Sequence, residues 1–135
     1  MENHDIRWRQ RFQNFEKVMK HLKDALNIDN PDIIQKAGII QFFEMSYELS
    51  WNTIKDYLED QGFTDVKYPR SAIKKAFEIE LIEDGDSWME LLLDHNMTAH
   101  AYDEEKVNEI EKLIHHKYYP LLDKLYNQLK QKQNE

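Results

Sequence analysis

The chain has no cysteine, only three glycines and three prolines, and no apolar run of membrane-spanning length. Each scarcity excludes something. Without cysteine there is no disulfide framework, no thiol nucleophile and no thiolate metal site; the absence fits a reducing cytosol. So little glycine and proline leaves scant material for tight β-turns, which points to an all-α fold. With no charged-then-apolar leader and no long apolar segment, the expectation is a soluble, cytoplasmic protein with no membrane partner. Basic residues are also in short supply: 18 lysines and arginines stand against 26 acidic residues, a formal charge of −8. Gripping duplex nucleic acid usually takes a basic surface, because phosphate neutralisation supplies most of that affinity. Duplex binding is therefore disfavoured as the main task.

What is present is helical periodicity. At 135 residues, with no repeat, low-complexity tract or linker-like stretch, residues 1–135 read as one domain able to bury its own core. Trp8, Phe12, Phe15, Met19, Leu22 and Leu26 step by four and three, which predicts a first helix over about 5–27 with one apolar stripe. Asn30-Pro31-Asp32 reads as a restart, with Asn30 as the cap and Pro31 in the first turn. The second helix then runs to about Gln61, stopped by Gly62. Its predicted seam is Ile33, Ala37, Ile40, Glu44, Tyr47, Trp51, Ile54 and Leu58, with Glu48 one turn beyond Glu44. A buried Glu44 needs a partner or a proton, whereas a slight rotation of the seam brings both glutamates to solvent.

Pro69 opens a third helix through Ile73, Ala76, Phe77 and Ile79 that ends near Gly85. Ser87, with Glu90 three residues on, has the form of a capping box for a fourth. Asp103, followed by Glu104 and Glu105, caps the last helix, which Val107, Ile110, Ile114, Leu121, Leu125 and Leu129 line and Pro120 should kink. The expected architecture is an antiparallel, up-and-down bundle of four to five helices. Its aromatic-rich stripes suggest more apolar surface than so few helices cover, hence a homodimer.

The chemically dense stretch runs from His95 to Glu104, His-Asn-Met-Thr-Ala-His-Ala-Tyr-Asp-Glu. If the fourth helix continued through it, Asn96 and His100 would share a face at a spacing of four. His95 and His100, five apart, would diverge, and so would the neighbours His115 and His116; no metal site is expected from either pair. No cofactor is expected either. Acid–base chemistry remains, since an unperturbed imidazole with a pKa near ~6.5 takes and returns a proton at neutral pH. RNA cleavage asks little more, because the 2′-hydroxyl of the substrate is itself the nucleophile. His100 could move the proton, Asn96 orient a phosphate or the histidine, and a protonated His95 supply positive charge.

The same residues resemble the signature of the HEPN superfamily, an arginine followed by histidine, often as Arg-Asn-x-x-x-His-x-Tyr. Within it the chain most resembles the nucleotidyltransferase substrate-binding proteins. The resemblance extends over nearly the whole chain: Phe43-Glu44, Glu48 to Trp51, Lys55 to Leu58, Pro69-Arg70, Ala76 to Glu78, Leu81-Ile82 and Asp84 to Trp88, besides Asn96, His100 and Tyr102 to Glu104. It implies a HEPN-like bundle that pairs as a homodimer, with the two signature segments meeting in a cleft. It implies a minimal nucleotidyltransferase partner encoded nearby, and RNA or a nucleotide as ligand. Active relatives are metal-independent ribonucleases, toxins of toxin–antitoxin pairs. By the same resemblance, His95, Asn96 and His100 occupy the catalytic positions and Tyr102 the site of silencing AMP attachment. One departure stands out: His95 takes the place of the arginine. Arginine is always charged and offers a planar fork to phosphate, whereas a neutral histidine offers one donor. That favours a binding role over a catalytic one.

Overall fold

The structure, a computed structural model, describes residues 2–96, 99 and 102–135. The helices are α1 (Glu2–Leu26), α2 (Ile33–Asp60), α3 (Pro69–Glu78), α4 (Gly85–Asp94), α5 (Glu104–Leu113) and α6 (Tyr119–Gln133), the last two joined by a π-turn over Ile114–Tyr118. No strand occurs among the described residues. Trp8 meets Tyr57 edge-on and His21 stacks on Phe42, so α1 and α2 run antiparallel. Phe12 stacks on Tyr126 and Arg9 donates to the carbonyl of Gln133, so α6 also opposes α1. The short helices α3 and α4 make the return stroke between α2 and α5. The result is the expected up-and-down bundle.

The α1 stripe is buried as the periodicity requires, with Trp8, Phe12, Phe15, Met19 and Leu22 in the core. Along α2 the seam is rotated from the predicted line: Ile39, Phe43, Ser46, Ser50 and Thr53 join Ile40, Tyr47, Ile54 and Leu58 inside, while Ile33 and Ala37 are exposed. Rotation brings Glu48 to solvent and leaves Glu44 half-buried at the edge, so the carboxylate that α2 does bury is Asp56. The hydroxyls of Ser50 and Thr53 turn back onto the carbonyls of Tyr47 and Leu49, so they enter the core satisfied.

Two caps differ from expectation. Asp32, not Asn30, caps α2: its carboxylate accepts from the Gln35 N–H, and the Gln35 side chain accepts from the Asp32 N–H. Asn30 instead takes a left-handed turn, with φ of 52°. Asp84, not Ser87, caps α4, accepting both the N–H and the hydroxyl of Ser87. The third helix correspondingly ends at Glu78, short of the predicted Gly85, and leaves Phe77 and Ile79 exposed. The aromatics that suggested a second copy are mostly accounted for by the monomer: Trp8, Phe12, Phe15, Phe43 and Tyr47 are buried, and Phe42 and Trp51 pack partly against the core. The exposed large apolar residues are others, Ile34, Tyr68, Phe77 and Leu93 among them.

Candidate functional site

The site is built from the C-terminus of α4, the middle of α2 and the N-terminus of α5. Trp88 and Leu91 bury the inner face of α4. Towards the C-terminal end of α4 the Tyr118 hydroxyl donates to Asp94 at 2.7 Å, and Lys117 pairs with Glu90. These contacts tie α4 to the π-turn. It stops at Asp94, with His95 as its C-cap residue at φ −61°, ψ −25°. Asn96 follows outside the helix and is exposed. The helical pairing of Asn96 with His100 therefore lacks its premise, since α4 does not reach Asn96. His100 itself lies outside the described residues.

His95 is the most constrained of the signature side chains that are described. Its Nδ1 lies 2.7 Å from the Leu92 carbonyl oxygen. Its ring stacks on Tyr47 of α2 with centroids 4.3 Å apart and planes at 16°. Tyr47 is only 1% exposed, and its hydroxyl has no hydrogen-bond partner among the described residues. Burial, followed by the nearby charges of Glu48 and Glu44, pushes the Tyr47 phenol well above the ordinary tyrosine range. Burial and the bond to Asp94 do the same to Tyr118. Sequence periodicity placed Tyr47 in the seam of α2 and gave no sign that it would floor the signature histidine. The contact spans the interval between two helices, which no local pattern encodes.

Tyr102 sits at the far side of the segment and is 87% exposed, directly before the α5 cap. Asp103 fills that cap as expected, accepting from the N–H groups of Glu105 and Lys106. His95 and Tyr102 thus frame the connection between α4 and α5, one restrained against the core and one fully accessible. Among the described residues, no group of three or more histidine, aspartate or glutamate side chains is arranged to hold a metal ion. His115 and His116 lie exposed on the π-turn with ring centroids 6.2 Å apart.

The raised phenols carry a pH consequence. A tyrosine whose pKa is higher in the folded chain than in the unfolded one stays protonated longer when folded. The unfolded state therefore releases its proton first, and stability present below pH ~10 is lost as pH rises beyond it. Unfolding in urea should need less denaturant at pH 11 than at pH 9. The Tyr47→Phe variant should lose less stability over that interval, and at pH 7 should be as stable as the parent or up to ~1 kcal/mol more so, since it sheds a buried hydroxyl with no partner among the described residues. An identical loss in parent and variant would exclude Tyr47 as a contributor.

This all-helical bundle, with its restrained histidine and exposed tyrosine flanking one interhelical connection, falls into a defined class. Residues 10–131 match the family described as nucleotidyltransferase substrate binding protein like. The chain belongs to that family, and with it to the HEPN superfamily that the signature segment resembles. Among named relatives, a Haemophilus influenzae protein called probable ribonuclease HepT is 31% identical, with 70% of each chain covered. A crystal structure of a Thermus thermophilus protein superposes with a TM-score of 0.77 at 24% identity, covering 85% of this chain and 98% of the other. That likeness establishes the fold. Among the described residues, no helix is long and apolar enough to cross a membrane.

Proposed function

We propose that this protein is the HEPN half of a two-component system, a homodimer that binds a minimal nucleotidyltransferase encoded nearby, or a nucleotide, through the segment from His95 to Tyr102. The observation that carries this reading is the placement of Tyr102. A phenol 87% exposed, at the end of the signature segment and immediately before a capped helix, is open to a transferase active site. An AMP group there would add a bulky anion two residues from His100 and block a phosphate-binding cleft. Exposed Leu93, next to Asp94 and His95, and exposed Ile34 on α2 supply apolar surface for an interface.

Incubation with the adjacent nucleotidyltransferase, magnesium and ATP should yield a stable complex and a mass gain of AMP on this chain. The adduct should be absent in Tyr102→Phe, while the complex persists. Failure to form either complex or adduct overturns the reading. A second reading, a metal-independent ribonuclease toxin using His100 as the acid–base group with Asn96 and His95 beside it, is favoured by the similarity to a protein named as a probable ribonuclease. In that case the AMP adduct silences the cleavage.

A further inference from the structure

Resting on the reading that His95 belongs to the functional site, we infer that the neutral form of His95 carries its hydrogen on Nδ1 and turns Nε2 to the site as an acceptor, and that Tyr47 is the positioning residue that holds the ring in that orientation. A carbonyl oxygen only accepts. The 2.7 Å approach of Nδ1 to the Leu92 carbonyl therefore places the ring hydrogen on Nδ1. A neutral imidazole with its hydrogen on Nδ1 carries a lone pair on Nε2. Turning the ring over would put a carbon against the Leu92 oxygen and leave that carbonyl without its donor.

What resists reorientation of the ring is the α2 side chain beneath it. Tyr47 lies nearly parallel to His95 at 4.3 Å and is itself locked in the core at 1% exposure. The Tyr47 hydroxyl makes no hydrogen bond among the described residues, so the stacked face, not the phenol, is its link to His95. Glu44 and Glu48 of the same helix act on the Tyr47 phenol through their charge.

The chemical consequence reverses what the sequence suggests for this position. Arginine there presents only hydrogen-bond donors, suited to phosphate. His95 in its neutral form presents an acceptor. The group it takes is one that brings a hydrogen: a ribose hydroxyl or the exocyclic amine of a base. A phosphodiester brings only acceptors and finds no donor at Nε2. In that neutral form, position 95 fits the sugar or base of a nucleotide and not its phosphate, and in a cleavage reaction it would accept a proton.

Long-range proton–nitrogen correlation NMR of the nitrogen-15-labelled full chain at pH 8 tests this, with the His95 signals assigned by their loss in His95→Gln. The expected result is a His95 ring held almost wholly as the Nδ1–H tautomer, where an unrestrained imidazole prefers Nε2–H. Tyr47→Phe should preserve that tautomer, and Tyr47→Leu should let it relax to the free-imidazole mixture. Dimethyl phosphate, a diester with no hydroxyl hydrogen, should leave the Nε2 resonance unmoved at pH 8. A dominant Nε2–H tautomer in the parent, an unchanged tautomer in folded Tyr47→Leu, or a shift of Nε2 induced by dimethyl phosphate at that pH overturns the assignment. Should Tyr47→Leu fail to fold, the parent and Tyr47→Phe spectra decide. The readout is independent of the transferase, so failure of partner binding and failure of this assignment are distinguishable.

Discussion

Arg11→Met is expected to destabilise the fold by about 3 kcal/mol, a large share of the ~5–15 kcal/mol typical of a domain. Asp56 of α2 is 1% exposed, and its Oδ2 accepts from Arg11 Nε at 3.0 Å. Its Oδ1 has no hydrogen-bond partner among the described residues and meets only the Lys55 ammonium at 3.6 Å. Removing the guanidinium leaves a buried carboxylate without a donor in hydrogen-bond geometry. Breaking a buried pair in this way costs about 3–5 kcal/mol. The lower end applies because Lys55 stays near and the Arg11 side chain is 34% exposed, so part of its charge is already solvated. Urea denaturation should show the loss at pH 7. The double variant Arg11→Met, Asp56→Leu should recover most of it, because an apolar pair of similar size removes the stranded charge. A loss below ~1 kcal/mol for the single change would mean that Lys55 suffices.

The same physics explains which parts of the fold were readable in sequence. Stripes at steps of three and four report burial directly, so α1 and the burial of its aromatics followed from spacing alone. Cap positions are decided by finer competition. Ser87 and Asp84 both sit where a capping side chain would serve, and Asp84 prevails because one carboxylate receives both the amide and the hydroxyl of Ser87. The last helices show a third case. Ile110, Ile114, Tyr118 and Leu122 are buried at unbroken steps of four. On a regular α-helix each such step drifts by about 40°. The π-turn over Ile114–Tyr118 takes up that drift, and the Tyr119 N–H reaches the Ile114 carbonyl. Pro120, which the sequence marks as the place of a kink, lies in the first turn of α6, which directly follows this π-turn.

The candidate site was legible only in its residue types. The concentration of proton-carrying groups between His95 and Tyr102 marked the segment; the exposure of Tyr102 next to a capped helix was not readable from it. The orientation of His95 was not readable. It depends on Leu92, one turn back, and on Tyr47, which chain topology brings from α2. Nor could spacing reveal that α4 ends at Asp94, because neither a glycine nor a proline follows it to mark the stop. A helical pairing of Asn96 and His100 presumed that the helix went on.

In the ribonuclease reading, His100→Ala is expected to reduce RNA cleavage by about 10²–10⁴-fold, the usual worth of a positioned acid–base group. The attacking 2′-hydroxyl and its leaving group need a proton moved, and the signature histidine is the residue of suitable type at the suitable place in the pattern. Cleavage should persist in excess EDTA, since the proposed chemistry uses proton transfer and electrostatic stabilisation. His116→Ala, on the exposed π-turn, provides the control and should leave the rate unchanged. Complex formation with the nucleotidyltransferase should survive His100→Ala, which separates loss of catalysis from loss of binding. A fall of less than ~10-fold, or an equal fall in His116→Ala, removes His100 from the acid–base role. Dependence on magnesium would instead reject the metal-independent mechanism while leaving the binding role of Tyr102 intact.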